Sequence, residues 1–270
     1  RQVNALKRGV DVLVATPGRL LDLMQQGHIK LHEVEIFVLD EVDRMLDMGF
    51  IPDIQRVIGK LPAERQTLFF SATMTPKMVQ LAHTMVTNPV RVAITPDKPA
   101  VESIEQKVLF VGQKDKNALL IQLFEKFPVG KALIFTQMKH QANRVAETLE
   151  KAGISCTAIH GNKTQAARTR ALDGFKRGRY QVLVATDVAA RGIHVDGVAC
   201  VLHFDPPIDD KTYVHRSGRT ARAGAQGIVV SFIANNEVRD ADRLVRNLKL
   251  SADLNPPAPL SLQAARERLT

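Results

Sequence analysis

Three carboxylates, Asp40, Glu41 and Asp43, sit around Val42 at the end of the mostly apolar run Val34–Leu39. That run reads as a buried strand, and Arg44-Met45-Leu46-Asp47-Met48 opens a helical pattern after it. Acids at the C-terminal tip of a parallel strand stand in the crevice where open α/β sheets bind ligands. In that position they hold Mg2+ and polarise a water beside a nucleotide phosphate. The same acids also suit a plainer role, as helix N-caps at a strand–helix junction.

Other junctions carry comparable chemistry. Thr16-Pro17-Gly18-Arg19 follows the strand-like run 12–16. Pro17 fits a first helical position, free N–H groups there can meet a phosphate, and Arg19 adds charge; an ordinary strand-to-helix turn fits as well. Ser71-Ala72-Thr73 ends another strand, where its hydroxyls bridge the acidic loop or serve as an N-cap before Pro76. His160-Gly161 closes a strand, and Gln165 and Arg168 after it are three apart on one helix face, which suits nucleic-acid backbone or bare solvent. Ala185–Gly192 is a strand-end loop that contacts nucleic acid or nucleotide, or merely connects, although its Arg191-Gly192 pair is unusual for a connector. His215–Arg222 is the strongest basic cluster. Arg219 and Arg222 can converge on one phosphoryl group and stabilise its charge. Gly218 and Gly224 interrupt any simple solvated helix there. The sequence holds no Gly-x-x-x-x-Gly-Lys-[Ser/Thr] phosphate loop, and Gly130-Lys131 precedes a strand and reads as a turn.

These residues need a frame of strand tips. Short apolar strands alternate with amphipathic helical stretches, which argues for βαβ units and parallel sheets. The first part predicts strands at 12–16, 36–40, 67–71 and 91–94, with helices at 19–25, 54–60 and 77–85. The second predicts strands at 108–111, 132–136, 157–160, 182–186, 201–204 and 229–233, with helices at 117–127, 141–151, 165–177 and 237–248. Two prolines among polar neighbours mark a linker at 96–103, between a domain over 1–95 and one over 104–250; a Pro-rich tail follows at 251–270. The opening, Arg1-Gln2-Val3-Asn4, lacks an initiator Met and reads as a cut inside a domain.

A net charge of +9 suggests a polyanion partner. There is no Trp and little Tyr, so contact with a phosphate–sugar backbone fits better than base stacking. Cys156 and Cys200 lie in apolar runs without metal-ligand spacing and read as buried thiols of a reducing cytosol, making a cytoplasmic location the expectation. No stretch reaches transmembrane length, so no membrane partner is expected.

In order, the motifs resemble those of the DEAD-box RNA helicases, over Val12 to about Leu248. They are TPGR (16–19), DEVD (40–43) with RMLDMGF (44–50), SAT (71–73), ALIFTQMK (132–139), HGNKTQAAR (160–168), VATDVAARG (184–192) and YVHRSGRTARAG (213–224). RMLDMGF and HGNKTQAARTRAL are most similar to the bacterial RhlE-type subgroup. The resemblance implies two RecA-like parallel-sheet domains, the first incomplete, that close over ATP and single-stranded RNA. It implies that Asp40 holds Mg2+ through water and that Glu41 acts as base or orienter for the attacking water. Asp43, Ser71, Thr73 and His215 would couple the site to closure. Arg219 and Arg222 would be arginine fingers, and Gly192 would lie near the nucleotide. Thr16, Pro17, Gly18 and Arg19, with Gln165, Arg168 and Thr186, would grip RNA backbone, single-stranded or duplex. Such enzymes couple ATP hydrolysis to local unwinding or remodelling of duplexes.

The sequence departs from the family pattern in three ways. Val42 stands in place of the usual alanine, and His194 in place of an Asp that meets the ribose, with Asp196 two residues on. The adenine-reading Gln motif and the phosphate loop are missing, so this chain alone is expected to be inactive and the native protein longer. The competing expectations are a non-catalytic module that binds RNA or a protein partner, and a related translocase on DNA.

Overall fold

The computed structural model describes residues 2–71, 74–93, 104–126, 129–190, 193, 195–221, 225–248 and 250. The chain divides into two compact units, Arg1–Ala93 and Ile94–Thr270. The expected linker and tail lie outside the described residues.

The first unit runs α1 (Gln2–Leu6), α2 (Pro17–Gln25), β1 (Ile36–Leu39), α3 (Val42–Asp47), α4 (Ile51–Ile58), β2 (Gln66–Phe69) and α5 (Pro76–Met85). The strands β1 and β2 are parallel, in register from Ile36–Gln66 to Leu39–Phe69. Proline opens α2, α4 and α5 within their first two positions, where its missing N–H costs no helical bond. The spacing of Ile54 and Val57 buries one stripe of α4. Ile54 joins Leu39, Val42, Met78 and Met85 in a core beneath the acid turn, while Val57 joins Leu23, Ile29 and Leu31 in a second cluster.

Two expected strands are absent among the described residues of this unit. Residues 12–16 carry no strand, and Val12 and Val14 are 80% and 92% exposed. Residues 91–93 carry none either, with Val92 83% exposed. A strand is stabilised by a hydrogen-bonded neighbour, and among the described residues the first unit's ladder is the β1–β2 pair alone. Both segments are apolar, but among the described residues neither has a ladder partner.

The second unit runs β3 (Ile104–Phe110), α6 (Lys116–Lys126), β4 (Lys131–Thr136), α7 (Lys139–Lys151), β5 (Cys156–Ile159), α8 (Gln165–Lys176), β6 (Val182–Thr186), α9 (Asp187–Ala190), β7 (Val198–His203), α10 (Asp210–Ser217), β8 (Gly227–Ile233), a 3-10 turn (Asn235–Glu237) and α11 (Val238–Leu248). Its six strands form one parallel sheet in the order β3-β8-β7-β4-β6-β5. Ile134, Val184, Leu202 and Val230 pack into the core on one face, and Leu133, Phe135, Leu183, Val201 and Val229 into the core on the other. That period of two, apolar on both faces, is the mark of a sheet covered by helices on both sides. Each fully buried Leu, Ile or Phe contributes roughly 1.5–3 kcal/mol, so this sheet is the stable frame of the unit.

Edge strand β3 begins at Ile104 rather than Val108, because Glu105, Gln106 and Lys107 pair along β8 despite their polar side chains. An edge strand keeps one side in water and tolerates them. With all six strands parallel, their C-terminal tips share one edge, and the chain order reverses beside β4, between β6 and β7. That switch point is where an open α/β sheet presents a crevice.

Candidate nucleotide and RNA site residues

The acid turn is built mostly from the backbone. Phe70 N–H donates to Leu39 O at 2.8 Å and Val42 N–H donates to Phe70 O at 3.1 Å, so the β1–β2 pairing runs on past the strands and clamps the turn. Glu41 takes the left-handed conformation, φ 53 and ψ 45, at the head of α3. For a residue with a side chain that conformation costs about 1–2 kcal/mol. In return, Asp40 and Glu41 face solvent while Val42 and Asp43 turn inward, at 0% and 2% exposure. Glu41 makes no side-chain cap bond, which removes the plain N-cap reading for it. Instead its Oε2 accepts from Arg44 Nη1 at 2.6 Å, and Asp40 Oδ1 accepts the Glu41 N–H at 2.9 Å. The extra methyl groups of Val42 enter the core under the turn, which accounts for the departure from alanine.

The cap ahead of Pro76 is Thr75, whose hydroxyl accepts the Met78 N–H at 3.4 Å. Ser71 follows the clamping residue Phe70 and is half-buried beside the acid turn. Thr73 lies outside the described residues. At the head of α2, Thr16, Gly18 and Arg19 are exposed and Pro17 is half-buried. Thr16 makes no side-chain cap bond. Arg19 donates through Nε and Nη2 to Gln2 Oε1, at 3.0 and 2.8 Å, and pairs with Asp22.

In the second unit, Arg216 on α10 organises the shared edge. It is 1% exposed and donates through Nε and Nη2 to Asp187 Oδ1 and Oδ2, at 2.6 and 2.8 Å. Its Nη1 donates to Asp205 O at 2.7 Å, and its guanidinium carbon stands 5.1 Å from the centre of the Phe135 ring. A guanidinium that uses its whole fork this way is not replaceable by lysine. Asp209 caps α10 by accepting the Thr212 N–H at 2.7 Å, and Gly218 ends it, so the basic cluster is half helix and half loop. His215 is half-buried on that helix. Arg219, just past its end, is half-buried and donates to Ile193 O at 2.8 Å. Arg222, Gly192 and His194 lie outside the described residues.

Gln165 opens α8 after its cap Thr164, and Arg168 Nη1 donates to Gln165 Oε1 at 3.3 Å, so the expected shared face exists. Thr186 ends β6 at 5% exposure, immediately before Asp187. His160 directly follows β5, with Nε2 and Asn143 Oδ1 at 2.9 Å. Burial, then Lys163 and Lys139, hold its pKa below the ordinary histidine value. Behind the edge, His203 is fully buried, with Nδ1 and Ser231 Oγ at 3.0 Å. Burial and the Arg216 charge hold its pKa well below 6.5. Cys156 and Cys200 are free and buried, as expected, and burial pushes both thiols up to about 12.

Sequence reasoning passed over Asp187, Arg216, Asp205 and Lys116. Asp187 and Arg216 lie inside quoted motifs, but they are 29 residues apart and only the fold shows that they pair. Lys116 sits in the charged stretch Lys114-Asp115-Lys116, which reads as solvated, and no local signal marks it as buried.

Among the described residues, no group of three or more His, Cys, Asp or Glu side chains comes together to hold a metal directly. Mg2+ keeps several waters and takes one or two carboxylates plus phosphate oxygens. Exposed Asp40 is such a carboxylate.

Family comparison agrees with both units. A DEAD/DEAH box helicase model matches residues 1–81, and a helicase conserved C-terminal domain model matches residues 115–224. An ATP-dependent RNA helicase RhlB from Pseudomonas putida is 46% identical over 88% of this chain and 60% of its own length. An RhlB from Pseudomonas syringae pv. tomato is 41% identical over 99% of this chain and 68% of its own. The chain therefore spans about three fifths to two thirds of these relatives. Among solved structures, S. cerevisiae Dbp5 bound to RNA and ADP BeF3 aligns with a TM-score of 0.79 at 30% identity, over 95% of this chain and 69% of that one.

Proposed function

Because the chain belongs to the DEAD-box helicase family, we propose that the protein it comes from hydrolyses ATP in response to RNA and uses that cycle to unwind or remodel short duplexes. The observation that carries this is the acid turn, which accepts a strained backbone at Glu41 in order to keep Asp40 and Glu41 open at a strand tip. A structural cap would not require that strain.

Asp40 would hold Mg2+ through water. When bound, the ion neutralises charge on the phosphates. Glu41, oriented by Arg44, is the acceptor for the proton of the attacking water. Arg219 and Arg222 supply guanidinium charge to the transferred phosphoryl group. Thr16, Gly18, Arg19, Gln165 and Arg168 supply surface for the RNA backbone, so binding tolerates most sequences. The RhlE-type subgroup is the finer assignment, supported by the segments 44–50 and 160–172. A cytoplasmic setting is supported by two free thiols.

The test uses the full-length native protein. ATP turnover with and without single-stranded RNA is compared for wild type and Glu41→Gln. RNA-stimulated turnover that falls by about 10²-fold or more in the variant is the expected result. RNA binding indifferent to ATP, with no stimulated turnover in wild type, would replace the enzyme with a binding module.

A further inference from the structure

A chain of buried polar contacts runs behind the strand tips of the second unit, and the hydrolytic roles above leave it unused. Lys116, at the start of α6, is 0% exposed. Its ammonium donates to Phe204 O at 2.9 Å and to Glu237 Oε2 and Oε1 at 2.9 and 3.2 Å, and lies 3.9 Å from Asp205 Oδ1. Asp205, 6% exposed, is the hub. Its Oδ2 accepts the Gln137 N–H at 2.9 Å, its Oδ1 accepts from Gln141 Nε2 at 3.0 Å, and its carbonyl accepts from Arg216. Gln137 Nε2 also donates to Pro206 O at 3.2 Å. From Arg216 the chain continues to Asp187, the residue after Thr186.

The network therefore joins groups at or just past the ends of β4, β6, β7 and β8 to the head of α6 and to the helix that leads into Arg219. Buried ion pairs are poor sources of stability, because desolvation offsets most of their attraction. What they impose is geometry: each acceptor here fixes a backbone group or a side chain at a strand tip. We propose that Lys116 is a positioning residue. Held by Glu237, it sets Asp205, and Asp205 sets both the junction of β4 with α7 at 137–141 and the Arg216–Asp187 pair that aligns α10 with the end of β6. This rests on the RNA-stimulated hydrolysis proposed above.

The experiment uses the full-length protein with Lys116→Met, Glu237→Gln and Asp205→Asn. Hydrogen exchange is followed in peptides covering 137–142 and 210–217, and ATP turnover is titrated with single-stranded RNA. Lys116→Met should speed exchange in both peptides and leave the inner strands β4 and β6 protected. It should also raise the RNA concentration for half-maximal turnover by about tenfold. Glu237→Gln keeps an acceptor for Lys116, so it should change that concentration by no more than about twofold. If Lys116→Met fails to fold, Asp205→Asn, equal in shape, should give the same local loosening and the same rise. Either folded variant with wild-type exchange and wild-type RNA dependence overturns the positioning role alone. A wild type without stimulated turnover overturns the enzyme reading and this inference together.

Discussion

The two units place their chemistry at strand tips by different means. In the first, the acid turn is local: one left-handed residue, an ion pair three residues apart and two backbone bonds to the neighbouring strand. Its two-stranded sheet leaves Ile36 and Val38 58% and 49% exposed. In the second, the tips are set by contacts between residues 11 to 121 positions apart, over a sheet whose inner strand β6 is buried throughout. A local device tolerates a small core around it; a long-range one needs the whole sheet. Damage to the second unit's network should therefore reach its stability, whereas change in the acid turn should reach its chemistry.

The largest effect expected from this contrast is at the Asp187–Arg216 pair. Asp187→Ala leaves a guanidinium buried with two of its three hydrogen bonds gone. Breaking a buried pair from one side costs about 3 kcal/mol or more, and the partial exposure of Asp187 puts this case at the low end. Urea denaturation followed by circular dichroism should show the second unit's transition moving by that amount while the first unit's stays put. Arg216→Lys should not recover the loss, since one ammonium cannot reach both acceptors in the fork geometry. A transition moved by less than about 0.5 kcal/mol would mean that the network is ornamental and the contrast false.

Acid should separate the units next, through His203. Its pKa in the folded chain lies well below 6.5, because burial and the Arg216 charge disfavour the imidazolium. The unfolded chain binds the proton first, so His203 contributes fully above about pH 6.5 and its contribution is lost as pH falls below that. The slope approaches about 1.4 kcal/mol per pH unit for this one proton. His160 shifts in the same direction, so His203→Asn should flatten the second unit's acid limb without abolishing it. An unchanged limb in that variant would show that His203 is protonated in the folded unit.

How much could be read beforehand follows the same division. The acid turn was legible, because Asp-Glu-x-Asp after an apolar run is a short-range pattern and its fold is short-range too. The alternation of strands and helices in the second unit was legible because a parallel sheet, buried on both faces, writes continuous apolar runs into the sequence. Its strand limits shifted where pairing, not hydropathy, sets them, as at Glu105–Lys107 in β3. Residues 12–16 misled because a continuous apolar run states that a segment can be buried, not whether a ladder neighbour is present. Lys116 and Asp205 were hidden for a different reason: a charged residue becomes structural only when distant partners close around it, and nothing next to Lys116 in the sequence names Glu237.

Glu41 gives the smallest stability change and the sharpest test of the comparison. Its φ of 53 is a conformation that glycine adopts freely. Glu41→Gly should therefore relieve about 1 kcal/mol of backbone strain while losing the ion pair to Arg44, whose Glu41 side chain is 52% exposed and so adds about 0–1 kcal/mol. The two nearly cancel, and the first unit should unfold within about 1 kcal/mol of wild type, or slightly later. RNA-stimulated turnover in the full-length protein should nevertheless be lost, because the carboxylate is gone. Stability held or gained with turnover lost would mean that the acid is kept at this position for chemistry, against a local preference for glycine. A clear loss of stability, above about 2 kcal/mol, would mean that the Glu41–Arg44 pair holds the turn together and that the first unit, like the second, fixes its site through side chains.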